Sequence, residues 1–338
     1  MSTALRISAP GGGSTIQDLG RPGFQRYGVP EAGAMDRTAL RIANLLVGND
    51  EAEACIEFAV FGGSYETVGG PCRIAVTGGD FVLTVDGIGL PAYRSFDLRE
   101  GSRLSVGRNR SGVYGYLAVH GGFEIAPVLG SRSTHIRSGI GGAALTAGTT
   151  LPLRQVQAPS GAALSLQEKA WPRYDGPIRV VLGPQDDFFT PNGIAAFLAG
   201  DYRIALLSDR MGYRLEGPAI EHSGDFNIVS DGIALGSIQV PGTGLPIVLL
   251  ADRQSTGGYP KIATVISADI RRLVQRGPQD AVRFVTVSPD EAENSAIEDE
   301  AAFKRLCGQI SATIETDIYD SARLLTFNLV DGFIDGDT

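Results

Sequence analysis

Short apolar runs that alternate with glycine-rich turns fill much of the first half of the chain. Five of them follow one another between about residues 57 and 155: EFAVFGG (57–63), CRIAVTGG (72–79), FVLTVDG (81–87), SRLSVG (102–107) and VYGYLAVHGG (113–122). Runs of this kind that are bounded by glycine are typical of β-strands. The pattern predicts short strands, each ending at a glycine-rich turn, in a β-barrel or β-sandwich.

One segment before these runs has helical periodicity instead. Met35, Ala39, Ile42, Ala43 and Leu46 recur at a spacing of about 3.6 residues. Gly48-Asn49 follows the last of them, as is usual after a helix C-terminus. We therefore expect an α-helix here.

The β-type pattern returns after a segment without periodicity. Residues 155–177 mix proline, glycine and serine and are the best candidate for a linker. A second β-rich stretch ends near residue 288, and an acidic helix with a thin apolar face and a terminal strand (324–338) are expected after it. The chain is thus predicted to be mainly β, with these units: a first β-barrel half (1–160), a second β-barrel half (175–290) and a helix–strand appendage (291–338).

Composition and charge exclude several functional classes. The chain has 338 residues, of which 43 % are hydrophobic and 20 % charged, as in a folded protein of more than one domain. A net charge of −9 argues against nonspecific binding to nucleic acid or to an anionic membrane. No apolar run approaches the roughly 20 residues that span a bilayer, so we expect a cytoplasmic protein. The three cysteines and three histidines have no metal-ligand spacing, and no metal site is predicted.

Four segments combine glycine with arginine and with amide or hydroxyl side chains. They are TIQDLGRPGFQ (15–25), VLGSRSTHIRSGIGG (128–142), SDRMGYRLEG (208–217) and the stretch from SIQVPGTG to LLADRQSTGGYPK (237–261). Glycine lets a backbone approach a ligand closely, and arginine pairs bidentately with carboxylate or phosphate. Turns that simply close hairpins would explain the glycines, but not the repeated Arg, Gln, Ser and Thr. A site for a small anionic or amide-bearing ligand is the better interpretation.

The last of these segments contains the candidates for catalysis. Lys261, one of only three lysines among 29 basic residues, would supply a point charge or, if desolvated, a base; a solvated lysine is the ordinary alternative. Arg253 is a candidate anion clamp, and Asp252 is either a base or the carboxylate that orients Arg253. We expect DRQSTGGYPK (252–261) to form one wall of a pocket that faces GSRST (130–134) from the other half.

Further candidates come from all four segments. The candidate substrate-binding residues are Arg132, Ser133, Arg210, Gln239, Gln254, Thr256, Gly257 and Tyr259, and the first loop adds Gln17, Asp18 and Arg21. The sequence has no Walker-type phosphate loop, no G-x-S-x-G elbow and no cysteine with a plausible histidine partner. These residues therefore predict a binding site without fixing a reaction.

Long stretches of the chain resemble one known family. They are residues 15–49, 129–142, 208–218 and 228–269, and the resemblance extends in order over roughly residues 5–290. The family is that of allophanate hydrolase subunit 2, also called the biotin-dependent carboxyltransferase family. The resemblance implies cyclophilin-like β-barrel domains and a partner of the subunit-1 or B type, with a third subunit as a further expectation.

Three functions within this family stay open. The 5-oxoprolinase branch, in which the chain would be the C-type subunit, implies a complex that uses ATP, with magnesium, to open the lactam of 5-oxo-L-proline to L-glutamate. In that branch Lys261 and Arg253 would stabilise negative charge. The urea carboxylase branch implies transfer of a carboxylate from biotin on a separate carrier to a urea-like amide. A third branch implies a non-catalytic antagonist of a kinase inhibitor. The length of the chain favours the first, and the polar residues in all four loops favour an enzyme subunit over a regulator.

Overall fold

The structure, a computed structural model, describes residues 3–154 and 161–313. Its helices are α1 (Arg37–Leu46), α2 (Pro191–Ala199), α3 (Ile270–Val274) and α4 (Pro289–Cys307). Its strands are β1 (Ala4–Gln17), β2 (Cys55–Val68), β3 (Cys72–Val85), β4 (Ile88–Leu90), β5 (Ser95–Leu98), β6 (Arg103–Val119), β7 (Thr150–Pro152), β8 (Leu164–Ser165), β9 (Ile178–Leu182), β10 (Tyr202–Ile204), β11 (Gly212–Glu216), β12 (Asp231–Gly232), β13 (Ser237–Gln239), β14 (Ile247–Leu249), β15 (Thr256–Gly257), β16 (Lys261–Val265), β17 (Ala281–Val282), β18 (Phe284–Thr286) and β19 (Ser311–Ala312). None of the helices in these two ranges is long and apolar enough to cross a membrane.

Two large sheets organise the described residues, and each lies within one of the predicted halves. The first has seven strands in the order β4-β3-β6-β2-β1-β7, with β5 also paired to β3. The second has eight strands in the order β17-β10-β11-β14-β13-β16-β9-β18, in which β9 and β18 run parallel and the other neighbours antiparallel. The prediction of a mainly β protein is confirmed.

The strands of the first sheet are longer than predicted because glycine pairs bend them instead of ending them. β2, β3 and β6 have 14, 14 and 17 residues. The pairing of β3 with β6 shifts register after Gly78, which has φ +102°, and a Cβ there would overlap the carbonyl oxygen of Tyr114. A glycine at such a bulge lets the strand turn and then continue. The prediction that each run ends at its glycine turn is therefore wrong for these strands.

Helix α1 confirms the helical prediction, although it begins two residues later than the first periodic residue. The Asp36 side chain caps its N-terminus by accepting a hydrogen bond from the backbone N–H of Ala39 at 3.0 Å. Met35 stays outside the helix because its backbone N–H donates to the Glu57 carboxylate, at 2.9 Å. The apolar face of α1 packs against β3 and β6.

After residue 288 the chain forms the predicted acidic helix. Ser288 and Glu291 make a reciprocal capping box at the start of α4. Phe303 is its one fully buried side chain, and the Arg41 guanidinium lies 3.6 Å from the centre of that ring. The expected terminal strand (324–338) and part of the expected linker (155–160) lie outside the described residues.

A glutamine from the second half is inserted into the first. Gln275 follows α3 and is 3 % exposed. Its Nε2 donates to Asp36 Oδ2 at 2.9 Å, and its Oε1 accepts hydrogen bonds from the backbone N–H groups of Val113 and Tyr114, at 2.8 and 3.0 Å. The two halves thus share a buried polar contact, which fixes the relative position of the surfaces between them.

Candidate active site

A largely buried arginine joins two carboxylates at the boundary between the two sheets. Arg210, in the loop between β10 and β11, pairs bidentately with Asp252: Nε lies 2.9 Å from Oδ2, and Nη2 lies 2.8 Å from Oδ1. Its Nη1 bonds the carboxylate of Glu57 on β2, in the other half. The sequence suggested Arg253 as the partner of Asp252, but the structure pairs Asp252 with Arg210.

Glu57 is the most enclosed member of this cluster. It is 2 % exposed, and its Oε2 accepts hydrogen bonds from the hydroxyl of Tyr116 at 2.7 Å and from the backbone N–H of Met35. Burial raises the pKa of Glu57, and the charge of Arg210 opposes that rise. The cluster is therefore held in one arrangement by hydrogen bonds on both sides of the boundary.

A cavity of about 520 Å³ opens beside the cluster. Glu57 and Tyr114 line it from the first half, and Arg210 and Asp252 line it from the second. His135 lines it as well: its Nδ1 accepts the backbone N–H of Ser138 at 3.2 Å, and its Nε2 lies 3.4 Å from the carbonyl oxygen of Asp252. This cavity brings together carboxylates, two arginines, a phenol and an imidazole.

A second cavity, of about 540 Å³, adjoins the first and shares Arg137, Asp209 and Met211 with it. The amides of Gln239 and Gln254 line it, together with the ring of Tyr259. Gly257 allows this arrangement, because a Cβ there would lie 2.5 Å from the Gln239 Nε2 and 3.1 Å from the Gln254 Nε2.

The loop DRQSTGGYPK (252–261) thus supplies Gln254 and Tyr259 to the second cavity and Asp252 to the first. The wall from the other half is formed by residues 135–137, which come directly after the GSRST segment that the sequence suggested. Thr256 is exposed on β15 and lines neither cavity.

Lys261 is buried beside these cavities and does not line either of them. It is 2 % exposed, and its Nζ lies 2.8 Å from Asp231 Oδ2. The hydrogen bond from Lys261 is the main reason why the pKa of Asp231 is lowered. Lys261 is paired with Gln239 across β13 and β16, which places its positive charge next to the amide-lined wall. It is not the solvated lysine of the alternative interpretation.

Arg253 fastens the same loop to the first half. Its Nη2 lies 3.1 Å from Glu31 Oε2, and its Nε donates to the carbonyl oxygen of Ile233 at 3.1 Å. Arg253 lines neither large cavity and borders a separate one of about 180 Å³. The three catalytic candidates Lys261, Arg253 and Asp252 therefore have three different partners.

Asp18 organises the segment that leads to His135. Its carboxylate accepts hydrogen bonds from the hydroxyls of Ser131 and Ser133 at 2.6 and 2.5 Å, and from the backbone N–H of Arg132 at 2.6 Å. The Arg132 guanidinium points elsewhere: its Nε donates to the carbonyl oxygen of Ile125, at 2.7 Å. Asp18 and Ser133 thus position the turn that lines the cavities without lining them.

Arg21 and Gln17 support the same segment from the first loop. Arg21 donates to the carbonyl oxygen of Ser133, and Gln17 Nε2 donates to that of Thr134 at 2.9 Å. Burial lowers the pKa of Arg21. These two candidates from the first loop thus hold the backbone of the segment 128–142 in place.

Sequence reasoning missed Glu57 and gave His135 no role. Glu57 lies in a run that has the pattern of a strand. The sequence did contain a signal, since a carboxylate inside an apolar segment needs a partner when it is buried. Within residues 3–154 and 161–313 no group of three or more His, Cys, Asp or Glu is arranged to hold a metal ion.

The chain is similar to one protein family and to several known proteins. The profile of the family described as "Carboxyltransferase domain, subdomain A and B" matches residues 27–286. The C-type subunit of the 5-oxoprolinase of Escherichia coli (strain K12) is 35 % identical over 311 residues, which is 90 % of this chain and 98 % of that protein. The C-type subunit of the Haemophilus influenzae 5-oxoprolinase is 37 % identical over 82 % of this chain and 90 % of its own length.

Other relatives are much longer than this chain. The urea amidolyase of Saccharomyces cerevisiae is 32 % identical over 90 % of this chain, which corresponds to 18 % of that protein. Among solved structures, the urea carboxylase of Kluyveromyces lactis is similar with a TM-score of 0.84 and 28 % identity, over 92 % of this chain and 30 % of its own.

Proposed function

Because the chain belongs to the family of carboxyltransferase subdomains A and B, we propose that it is the C-type subunit of an ATP-dependent 5-oxoprolinase. Such a complex converts 5-oxo-L-proline to L-glutamate with a subunit-1 or B-type partner and a further subunit. The observation that carries the proposal is sequence similarity: the chain is 35 % and 37 % identical to two C-type subunits of 5-oxoprolinases and 32 % identical to the yeast urea amidolyase.

The two adjoining cavities suit a small lactam. Gln239 and Gln254 each offer an amide N–H and an amide oxygen, which match the C=O and N–H of a lactam ring. Arg210, Asp252 and Glu57 present fixed charges in the neighbouring cavity, where burial strengthens their effect on a substrate. The site can therefore bind and orient an amide.

ATP and its magnesium belong to the assembled complex in this proposal, and no residue of this chain is assigned to them. ATP supplies the phosphoryl group that activates the lactam oxygen before the ring is opened. The contribution of this chain is to hold the ring and to offset the negative charge that develops on it, for which Lys261 is the candidate.

Exposed apolar side chains at the cavities support a partner protein. Leu207 lines the 540 Å³ cavity and is 85 % exposed, and Ile136 lines the 520 Å³ cavity and is also exposed. Apolar side chains at the mouth of a site are favoured when another surface covers them. A B-type partner protein on this face would complete the enclosure.

The test is turnover by the complete complex. The chain is mixed with its candidate partner subunits, and ADP release and L-glutamate formation are measured with and without 5-oxoproline. We expect ADP release that depends on 5-oxoproline and equals the glutamate formed. No such turnover from a complex that assembles would contradict the proposal.

A carboxyltransferase is the second candidate, and the similarity in fold to urea carboxylase favours it. It predicts carboxylation of urea or a similar amide once a biotinylated carrier protein and its carboxylase are added. A regulatory role would instead give tight partner binding with turnover of neither substrate.

Replacing Lys261 with methionine keeps most of its apolar stem and removes the charge. We expect turnover of 5-oxoproline to fall by at least about tenfold, since the positive charge beside Gln239, behind the amide-lined wall, is lost. Lys304→Met, on the exposed face of α4, is the matched control and should leave turnover unchanged. Unchanged turnover in Lys261→Met would assign Lys261 a structural role only.

A further inference from the structure

Two arginines at the 540 Å³ cavity differ from Arg210 and from the arginines that line the 180 Å³ cavity. The arginines at the smaller cavity each pair with a carboxylate: Arg37, Arg41, Arg253 and Arg271. Arg210 pairs with two. Arg137 and Arg214, in contrast, form no ion pair and donate no side-chain hydrogen bond to any residue that the structure describes.

Arg137 has a defined position although it has no partner among the described residues. It lies in the middle of a 3-10 turn, Ile136–Ser138, which the His135 side chain caps by accepting the backbone N–H of Ser138. His135 is buried and is held against Asp252 of the other half. The backbone that carries Arg137 is therefore anchored, and the exposed Arg137 is one of the residues that line both large cavities.

Two arginines and one carboxylate line the 540 Å³ cavity, so its charged side chains carry a net positive charge. Asp209 lines both cavities, but its Oδ1 accepts the backbone N–H of Met211 at 2.8 Å and makes no ion pair with either arginine. Arg137 comes from the first half and Arg214, on β11, from the second. Two exposed arginines, one from each half, thus line a cavity whose other polar side chains are the amides of Gln239 and Gln254, the Tyr259 phenol and the Asp209 carboxylate.

We propose that Arg137, assisted by Arg214, binds the carboxylate of the substrate, so that this cavity accepts a small amide that carries a carboxylate and disfavours a neutral amide such as urea. This inference rests on the proposed function and deepens it. A guanidinium offers parallel N–H donors that match the two oxygens of a carboxylate. Gln239 and Gln254 then form hydrogen bonds with the amide of the same molecule. 5-Oxoproline has both groups.

The expected effect is on binding. The carboxylate of 5-oxoproline does not react, so losing its partner weakens the ground state and the transition state alike, which raises KM and leaves kcat nearly unchanged. When a hydrogen-bonded charge pair is lost from a cavity open to solvent, we expect KM to rise about tenfold to a hundredfold.

The experiment uses the complete complex with Arg137→Gln, and with Arg305→Gln on α4 as the matched control. We expect the KM for 5-oxoproline to rise about tenfold to a hundredfold in Arg137→Gln only, with kcat within about twofold. Inhibition by 2-pyrrolidinone, the same lactam without the carboxylate, should be unchanged. The KM for ATP should also be unchanged, which separates a substrate carboxylate from a nucleotide phosphate.

Three results would overturn the inference: an unchanged KM for 5-oxoproline, an equal loss of affinity for both lactams, or a rise confined to the KM for ATP. A wild-type complex that assembles but does not turn over 5-oxoproline would contradict the proposed function instead. In that case the binding of 5-oxoproline to this chain is measured by calorimetry in the wild type and in Arg137→Gln. Binding by the wild type that is lost in Arg137→Gln supports the carboxylate site. Equal binding by both, or no binding by the wild type, overturns it.

Discussion

Replacing Arg210 with methionine is expected to lower the free energy of unfolding by about 3–5 kcal/mol and to abolish turnover by the assembled complex. The substitution leaves the Glu57 and Asp252 carboxylates facing each other without the cation that bridges them. Glu57 is only 2 % exposed, so its carboxylate is poorly solvated when the partner is lost. The same change removes the charged group that both halves share beside the 520 Å³ cavity.

Denaturant unfolding of the purified chain measures the first effect. Arg305→Met is the matched control, since this exposed arginine on α4 should change the free energy of unfolding by less than about 0.5 kcal/mol. A loss of stability in Arg210→Met no larger than in this control would show that the cluster adds nothing to folding. The double variant Arg210→Met/Glu57→Gln should recover part of the loss, because it also removes a buried charge.

The stability of Arg210→Met should also depend on pH. Burial already raises the pKa of Glu57, and without Arg210 that pKa rises further. A carboxyl group with a raised pKa binds more protons in the folded state, so its contribution is complete at low pH and is lost as pH rises through the folded pKa. We therefore expect Arg210→Met to lower the free energy of unfolding by less at about pH 5 than at about pH 8.

Gln275→Ala is expected to lower the free energy of unfolding by about 3 kcal/mol or more. The truncation leaves the N–H groups of Val113 and Tyr114 without the oxygen that they share, and it removes the amide donor from Oδ2 of the buried Asp36 carboxylate, whose Oδ1 keeps the N–H of Ala39. Each unpaired buried group costs about 1–3 kcal/mol, and a charged one costs more. Turnover should fall too, because the contact holds together the two halves that form the cavities.

Gln309→Ala is the control for this change, since that glutamine is exposed after α4. Burial raises the pKa of Asp36, and the hydrogen bond from Gln275 opposes the rise. Adding Asp36→Asn to Gln275→Ala should therefore recover part of the lost stability while keeping the cap on α1. A double variant less stable than Gln275→Ala would show that the unpaired carboxylate is not the main cost.

The sequence predicted those features that depend on neighbouring residues. Helix α1 follows from the spacing of its apolar side chains, and the capping Asp36 stands directly before it. The polar, glycine-paired loop at 252–261 does line the cavities, with Gln254 and Tyr259, because the glycines allow the amides to approach each other. The sequence likewise indicated a mainly β fold, since alternating runs between turns can bury one face only in a sheet.

Only the tertiary structure decided which glycines bend a strand and which charged groups meet. Gly78 looks like a turn residue in sequence, and it lies at a bulge because β6 continues beside it. Asp252 was expected to pair with its neighbour Arg253, but it pairs with Arg210, 42 residues away, and through it with Glu57. The reason is physical: a buried charge takes the partner that folding brings within hydrogen-bond distance, and distance along the chain does not reveal which partner that is.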